Sequence, residues 1–243
     1  MGNFLFQAAA TMAYAWQHGL DFTVPSTTRS AKDNPVYLPH LVNPKWDPKL
    51  MLRKAQEQGH GYQRIPFHEE WRSGNIVLDG YWQSEKYFKD YRDLVIEKLG
   101  FAWHLEPQVS VHVRRGDYLT IRRAGLFKHP TVTQQWYETA MAKFPGMQFK
   151  FFSDDIPWCQ QMFGNRKDCG FASGSNEVQD LVEGSWCEHN ICSASTFSWW
   201  QAWLNRNPLK RVVIPTHWLT PGWANLYMGD IVPETWERLS WFQ

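Results

Sequence analysis

Residues Val111 to Tyr118, reading VHVRRGDY, set two adjacent arginines between a histidine and an aspartate. The stretch begins as an apolar alternation that reads as a buried strand and ends in a glycine-containing turn. In open α/β sheets ligands bind beyond the carboxyl ends of strands, which is where this turn would lie. A guanidinium offers a planar fork of N–H donors that matches phosphate oxygens in pairs. A buried arginine pair is costly unless an anion or neighbouring carboxylates compensate it. Two readings follow: an anion site at Arg114 and Arg115, or a structural ion pair with Asp117. The anion site is favoured, because two like charges need an external partner more than one does.

Residues Ser193 to Trp200, reading SASTFSWW, take an apolar strand through a Ser/Thr-rich turn into a helix. The backbone N–H groups and hydroxyls of such a helix N-terminus can hold a phosphate. Plain N-capping by Ser195 or Thr196 is the simpler reading, and both can hold together. Phe152 to Asp155, reading FSDD, ends another apolar run. Paired carboxylates suit a metal or acid–base work, but the D-x-D spacing is missing, so a divalent metal site is rejected. An aspartate capping the next helix is expected instead. None of the nine histidines has the H-E-x-x-H spacing. Gly2 to Gln7 opens a helix, with Asn3 as its expected N-cap.

The elements that must position these residues follow from hydrophobic periodicity and turn chemistry. Phe4 to Trp16 reads as a buried helix closed by Gly19, and Asp21 to Pro48 as a loop. Lys49 to Gln58 reads as a short helix and Ile76 to Tyr81 as a strand. Ser84 caps a helix running to about Leu99. Strands and helices then alternate. Strands are expected at Val109–Val113, Gln148–Phe152, Gly170–Ala172, His189–Ala194 and Arg211–Ile214. Helices are expected at Val132–Phe144, Pro157–Phe163, Glu177–Cys187 and Phe197–Arg206. This alternation implies a parallel sheet with right-handed crossovers. A Rossmann-like domain is therefore expected at 107–243, after a smaller α/β domain at 1–106.

Composition narrows the function further. A formal charge of +1 gives no bulk attraction to nucleic acid or to an anionic membrane. The 15 tryptophans suit either sugar stacking or core packing, and the core is the default for any one of them. The four cysteines form no C-x-x-C pair and read as buried thiols in a reducing compartment. No apolar run is long enough for a membrane span, and the opening segment lacks the basic region of a signal peptide, so a soluble protein is expected.

Four segments, in order, resemble the α-1,2-fucosyltransferases of glycosyltransferase family 11. Gly2-Asn3 with Phe6-Gln7 is similar to that family's G-N-Q-x-F-Q opening. Gly80 to Phe88 resembles its G-Y-x-Q-S-x-x-Y-F segment, and His112 to Tyr118 its H-x-R-R-G-D-Y motif. Cys187, His189 and Ile191, followed by Ser195 to Trp200, resemble its C-x-H-x-I and S-T-F-S-W-W. The chain departs from the pattern in carrying Phe4 where a glutamine is usual, and, with Gly2-Asn3 at its start, it is expected to lack the family's first strand.

The resemblance implies a B-type glycosyltransferase with two Rossmann-like domains, the first facing the acceptor and the second binding nucleotide. It implies inverting transfer of L-fucose from GDP-fucose to the 2-hydroxyl of a terminal β-galactoside, with no metal or other cofactor. His112 and Asp180 would face the guanine, Arg114 and Arg115 the diphosphate, and Ser195, Thr196 and Phe197 would form the phosphate turn. Arg114, Arg115 and Asp117 are the catalytic candidates, with Asp117 as base or as orienter of the arginines. The expected partners are GDP-fucose and a β-galactoside glycan, with peripheral membrane contact and no nucleic acid. The expected location is cytoplasmic at the inner membrane face, or the Golgi lumen if an N-terminal anchor has been removed. An inactive glycan- or nucleotide-binding relic of the fold, or transfer to another linkage, are the alternatives.

Overall fold

The computed structural model describes residues 1–24, 38–42, 49–123, 129, 131–173, 176–220 and 228–240. Much of the loop expected over 21–48 lies outside them. The chain forms two compact units, one built on residues 3–101 with 228–233, the other on 102–220 with 234–240.

The first unit opens with α1 (Gly2–His18), whose alanine-rich face is buried from Phe4 to Ala15. Gly19 ends it in the left-handed region (φ 61°), its N–H reaching back to the carbonyls of Ala15 and Trp16. Asn3 does not cap this helix: Met1 is the N-cap position, and Asn3 Oδ1 instead accepts from Gln83 Nε2 at 2.9 Å. An N-cap residue must itself lie outside the helix, and Gly2 is already helical.

The segment read as a short helix at 49–58 is a strand, β1 (Leu52–Gln56), paired in parallel with β2 (Asn75–Asp79). Isolated helices shorter than about 12 residues are marginal in water, and the ladder with β2 satisfies this backbone instead. Only Ala55 of β1 is buried. Beyond Ser84 the expected helix is broken at Phe88 (φ −143°, ψ 0°), whose ring is buried. Two 3₁₀ turns precede α2 (Arg92–Leu99).

The second unit carries β3 (Glu106–Val113), α3 (Gly116–Arg123), α4 (Gln134–Met141), β4 (Gln148–Ser153), α5 (Ile156–Phe163) and β5 (Cys169–Phe171). After these come α6 (Glu177–Trp186), β6 (Cys187–Ile191), α7 (Thr196–Leu204), β7 (Val212–Pro215) and β8 (Glu237–Leu239). All six strands are parallel, in the order β5-β4-β3-β6-β7-β8. Sequence order runs outward from β3 on one side and from β6 on the other, so the direction of winding reverses between these two neighbours. Such a reversal opens a crevice at the carboxyl ends of the strands. The turn expected at Gly116 is instead the start of α3, and the three-residue edge strand β8 carries no period that could announce it.

The core lies on β3, where Val109, Val111 and Val113 are buried with Tyr137, Phe149, Phe151 and Phe163. On α7, Trp199, Trp200 and Trp203 are buried as well, and Trp199 packs on Trp236 with ring centroids 5.5 Å apart. Asn205 ties the end of α7 to β6 through the Cys187 carbonyl (2.7 Å) and the Asn190 side chain (2.8 Å). All four cysteines are free thiols, Cys159, Cys187 and Cys192 buried and Cys169 half-buried.

Candidate active site

The site grows from the carboxyl end of β3. Its last turn-facing residue inside the strand, His112, is 4% exposed. Nδ1 of His112 lies 2.8 Å from Ser193 Oγ, just beyond β6, and its ring tilts against Phe197 at 5.2 Å. The Tyr137 hydroxyl donates to the His112 carbonyl at 3.3 Å. Burial, and after it Arg114, push the imidazole down to a pKa of about 3, so the ring is neutral at physiological pH.

Arg114 and Arg115 leave the strand in different directions. Arg114 Nη2 meets Asp117 Oδ1 at 2.9 Å and Nη1 meets Asp154 Oδ2 at 3.2 Å. Burial disfavours its charge, but Asp154 together with Asp117 more than offsets this and holds the guanidinium charged above its ordinary range. Arg115 Nε meets Asp155 Oδ2 at 2.9 Å, and its guanidinium lies 4.1 Å from the centre of the Trp158 ring. Asp155 also caps α5, accepting from Trp158 N–H at 3.2 Å, as expected.

Two arginines therefore face three carboxylates: Asp117, Asp154 and Asp155. The pair does not depend on an external anion for compensation, which corrects the electrostatic step taken from sequence. Donors remain for a ligand all the same. Arg115 Nη1 and Nη2 make no hydrogen bond among the described residues, and Arg114 has spent two of its five N–H groups.

Across the crevice, Ser195 caps α7, its hydroxyl accepting from Phe197 N–H at 3.3 Å. Thr196 and Phe197 are half-buried in the first turn. Tyr118 joins the two sides: its hydroxyl donates to the Ala194 carbonyl at 3.0 Å, and its ring lies 5.5 Å from the Arg114 guanidinium. His112, Arg114, Arg115, Asp117, Ser195 and Phe197 thus gather at the carboxyl ends of the central strands β3 and β6.

Asp180 lies on α6, where its carbonyl accepts from Gln201 Nε2 at 2.8 Å, and among the described residues no hydrogen bond links its carboxyl to this set. Burial, with Glu183 adding to it, raises its pKa. Asp154, Asp155 as an arginine partner, and Ser193 were not found from sequence. Asp154 and Asp155 were visible as the end of a strand, but which strand lies beside β3 is not written there.

The neutral histidine gives a measurable pH dependence. Unfolded, His112 takes up a proton below its ordinary pKa of 6.5; folded, it does not until about 3. Stability therefore falls as pH drops through this window, approaching about 1.4 kcal/mol per unit for one group, or about 1.6 kcal/mol between pH 6.5 and 5. Urea unfolding at the two pH values should show His112→Gln losing less stability than wild type by roughly that amount. Equal losses in both proteins would mean that His112 is not held neutral.

Comparison with known proteins shows which family carries this cluster of residues. The family described as Glycosyl transferase family 11 matches residues 71–220, more than half of the chain, including the whole strand-end cluster. An alpha-1,2-colitosyltransferase of Escherichia coli is 31% identical over 186 residues, covering 68% of this chain and 63% of that protein. The O-antigen biosynthesis glycosyltransferase WbnK of Escherichia coli is 36% identical over 45% of this chain and 38% of its own. Galactoside alpha-(1,2)-fucosyltransferase 2 of Bos taurus is 31% identical over 40% of this chain and 30% of its own. The match thus spans less than two thirds of each of these relatives. With the family model covering the site and most of the second unit's sheet, the chain belongs to glycosyl transferase family 11.

Proposed function

We propose that the chain transfers L-fucose from GDP-fucose to the 2-hydroxyl of a terminal β-galactoside, with inversion, as a B-type glycosyltransferase whose second, Rossmann-like unit binds the nucleotide. The observation that carries this is the arginine pair at the end of β3, facing the capped N-terminus of α7 where the winding reverses. In this reading the arginines and the α7 N-terminus hold the diphosphate, and the neutral His112 meets the base. Asp180, on α6, is the second residue assigned to the guanine.

The reaction is one displacement. The galactose 2-hydroxyl oxygen attacks the anomeric carbon of the β-linked donor, the bond from that carbon to the β-phosphate oxygen breaks, and an α-linked product forms. Negative charge grows on the departing GDP, where fixed N–H donors act most strongly. The hydroxyl proton passes to a carboxylate, and Asp117, half-exposed beside Arg114, is the most solvent-accessible of the three that face the arginines. Arginines do here what a divalent cation does elsewhere.

Incubation with GDP-fucose and lactose in the presence of EDTA, with mass spectrometry and linkage analysis, should give an α-1,2-fucosylated product. A different linkage, or turnover restored only by manganese, would refute the respective part of the reading. GDP binding without turnover would favour the inactive relic. A second donor has specific support in the colitosyltransferase similarity, which covers more of this chain than the two other relatives described above. Turnover with a colitose donor and none with GDP-fucose would establish it.

A further inference from the structure

We infer that Asp154 is a positioning residue that sets the arginine turn in its ligand-binding shape; the inference rests on reading that turn as the diphosphate site. Asp154 follows β4 directly. Its Oδ1 accepts from the backbone N–H of Arg115 at 2.9 Å, and its Oδ2 pairs with Arg114 Nη1 at 3.2 Å. One carboxylate thus fixes the backbone of one arginine and the side chain of the other. Gly116 lets it do so: a Cβ there would sit 2.6 Å from Asp154 Oδ2 and 3.2 Å from its Cγ, so the carboxylate fills the space a side chain would need. The tip of β4 is itself held, because Ser153 Oγ accepts from the Asp155 N–H at 2.9 Å. Asp117 differs in kind. Its side chain is 54% exposed, and its one ion pair among the described residues is to Arg114. It competes with an incoming anion for that guanidinium without holding the turn.

The two roles predict opposite signs. By charge alone, removing either carboxylate makes the site more positive and tightens binding of an anion. By positioning, removing Asp154 loosens the turn and weakens binding despite the gained charge. Calorimetric titration with GDP at fixed ionic strength, with thermal midpoints on the same preparations, separates them. Asp154→Asn and Gly116→Ala should each weaken GDP binding about ten- to a hundredfold, the scale of one hydrogen bond to a charged group. The double variant should be no weaker than the poorer single one, since both act through the same carboxylate. Asp117→Asn should bind equally well or up to about fivefold more tightly, the scale of an exposed ion pair.

Asp154→Asn binding as tightly as wild type per folded molecule, or losses that multiply in the double variant, would overturn the inference while leaving the nucleotide reading intact. The arginine Nε–H resonances read the positioning with no ligand present. The Arg114 and Arg115 signals should be sharp in wild type and broadened in Asp154→Asn, with Arg166, paired to Asp168 on the surface, unchanged as control. If wild type fails to bind GDP, the nucleotide reading falls and these signals alone decide: broadening upholds the positioning role, and unchanged signals end it.

Discussion

Arg114→Lys is expected to lower turnover by about a hundred- to a thousandfold, the usual cost of losing one preorganised donor at a site of developing charge, about 2.7–4 kcal/mol. Lysine keeps the charge and loses the planar fork. In the structure that fork spans Asp117 and Asp154, at 2.9 and 3.2 Å, while still leaving N–H groups for a ligand. A single ammonium cannot hold both carboxylates in one plane and also face a phosphate. Because the leaving diphosphate gains charge in the transition state, kcat should fall more than KM rises. The two carboxylates make the rival explanation concrete, since a purely structural Arg114 would lower the thermal midpoint and leave kcat per folded molecule near normal. Measuring midpoint and kcat on one preparation distinguishes these, and an unchanged kcat would return Arg114 to the scaffold.

The largest stability effect is expected from Trp199→Ala, a loss of about 3–5 kcal/mol in urea unfolding. Trp199 is fully buried, with ring centroids at 5.2 Å from Trp200, 6.0 Å from Trp203 and 5.5 Å from Trp236. Truncation leaves a cavity that the three remaining indoles cannot refill by collapse. Domains are stable by only about 5–15 kcal/mol, so the variant should be close to unfolding at moderate temperature. A change of less than about 1 kcal/mol, joined to a loss of glycan affinity, would instead make this tryptophan a sugar platform, the other use open to so aromatic a chain.

The chain's own sequence determined its local chemistry. The run of alternating apolar residues through Val109, Val111 and Val113 is enough to make a buried strand, because its period matches the pleat. Ser195 and Asp155 are caps by residue type, and Gly19 closes α1 because only glycine adopts a positive φ without strain. The alternation of strand and helix was enough to imply a parallel sheet. Tertiary structure decided what depends on neighbours. Residues 49–58 have no period strong enough to choose between helix and strand, and pairing with β2 chose for them. The capping role of Asn3 was lost because the helix begins before it. Above all, the pairing of β3 with β4 brings Asp154 and Asp155, about 40 residues away in the chain, against the two arginines. The sequence shows a cationic pair in search of an anion. The sheet supplies the carboxylates, because which strands lie side by side is settled by how the whole core packs and not by any one segment.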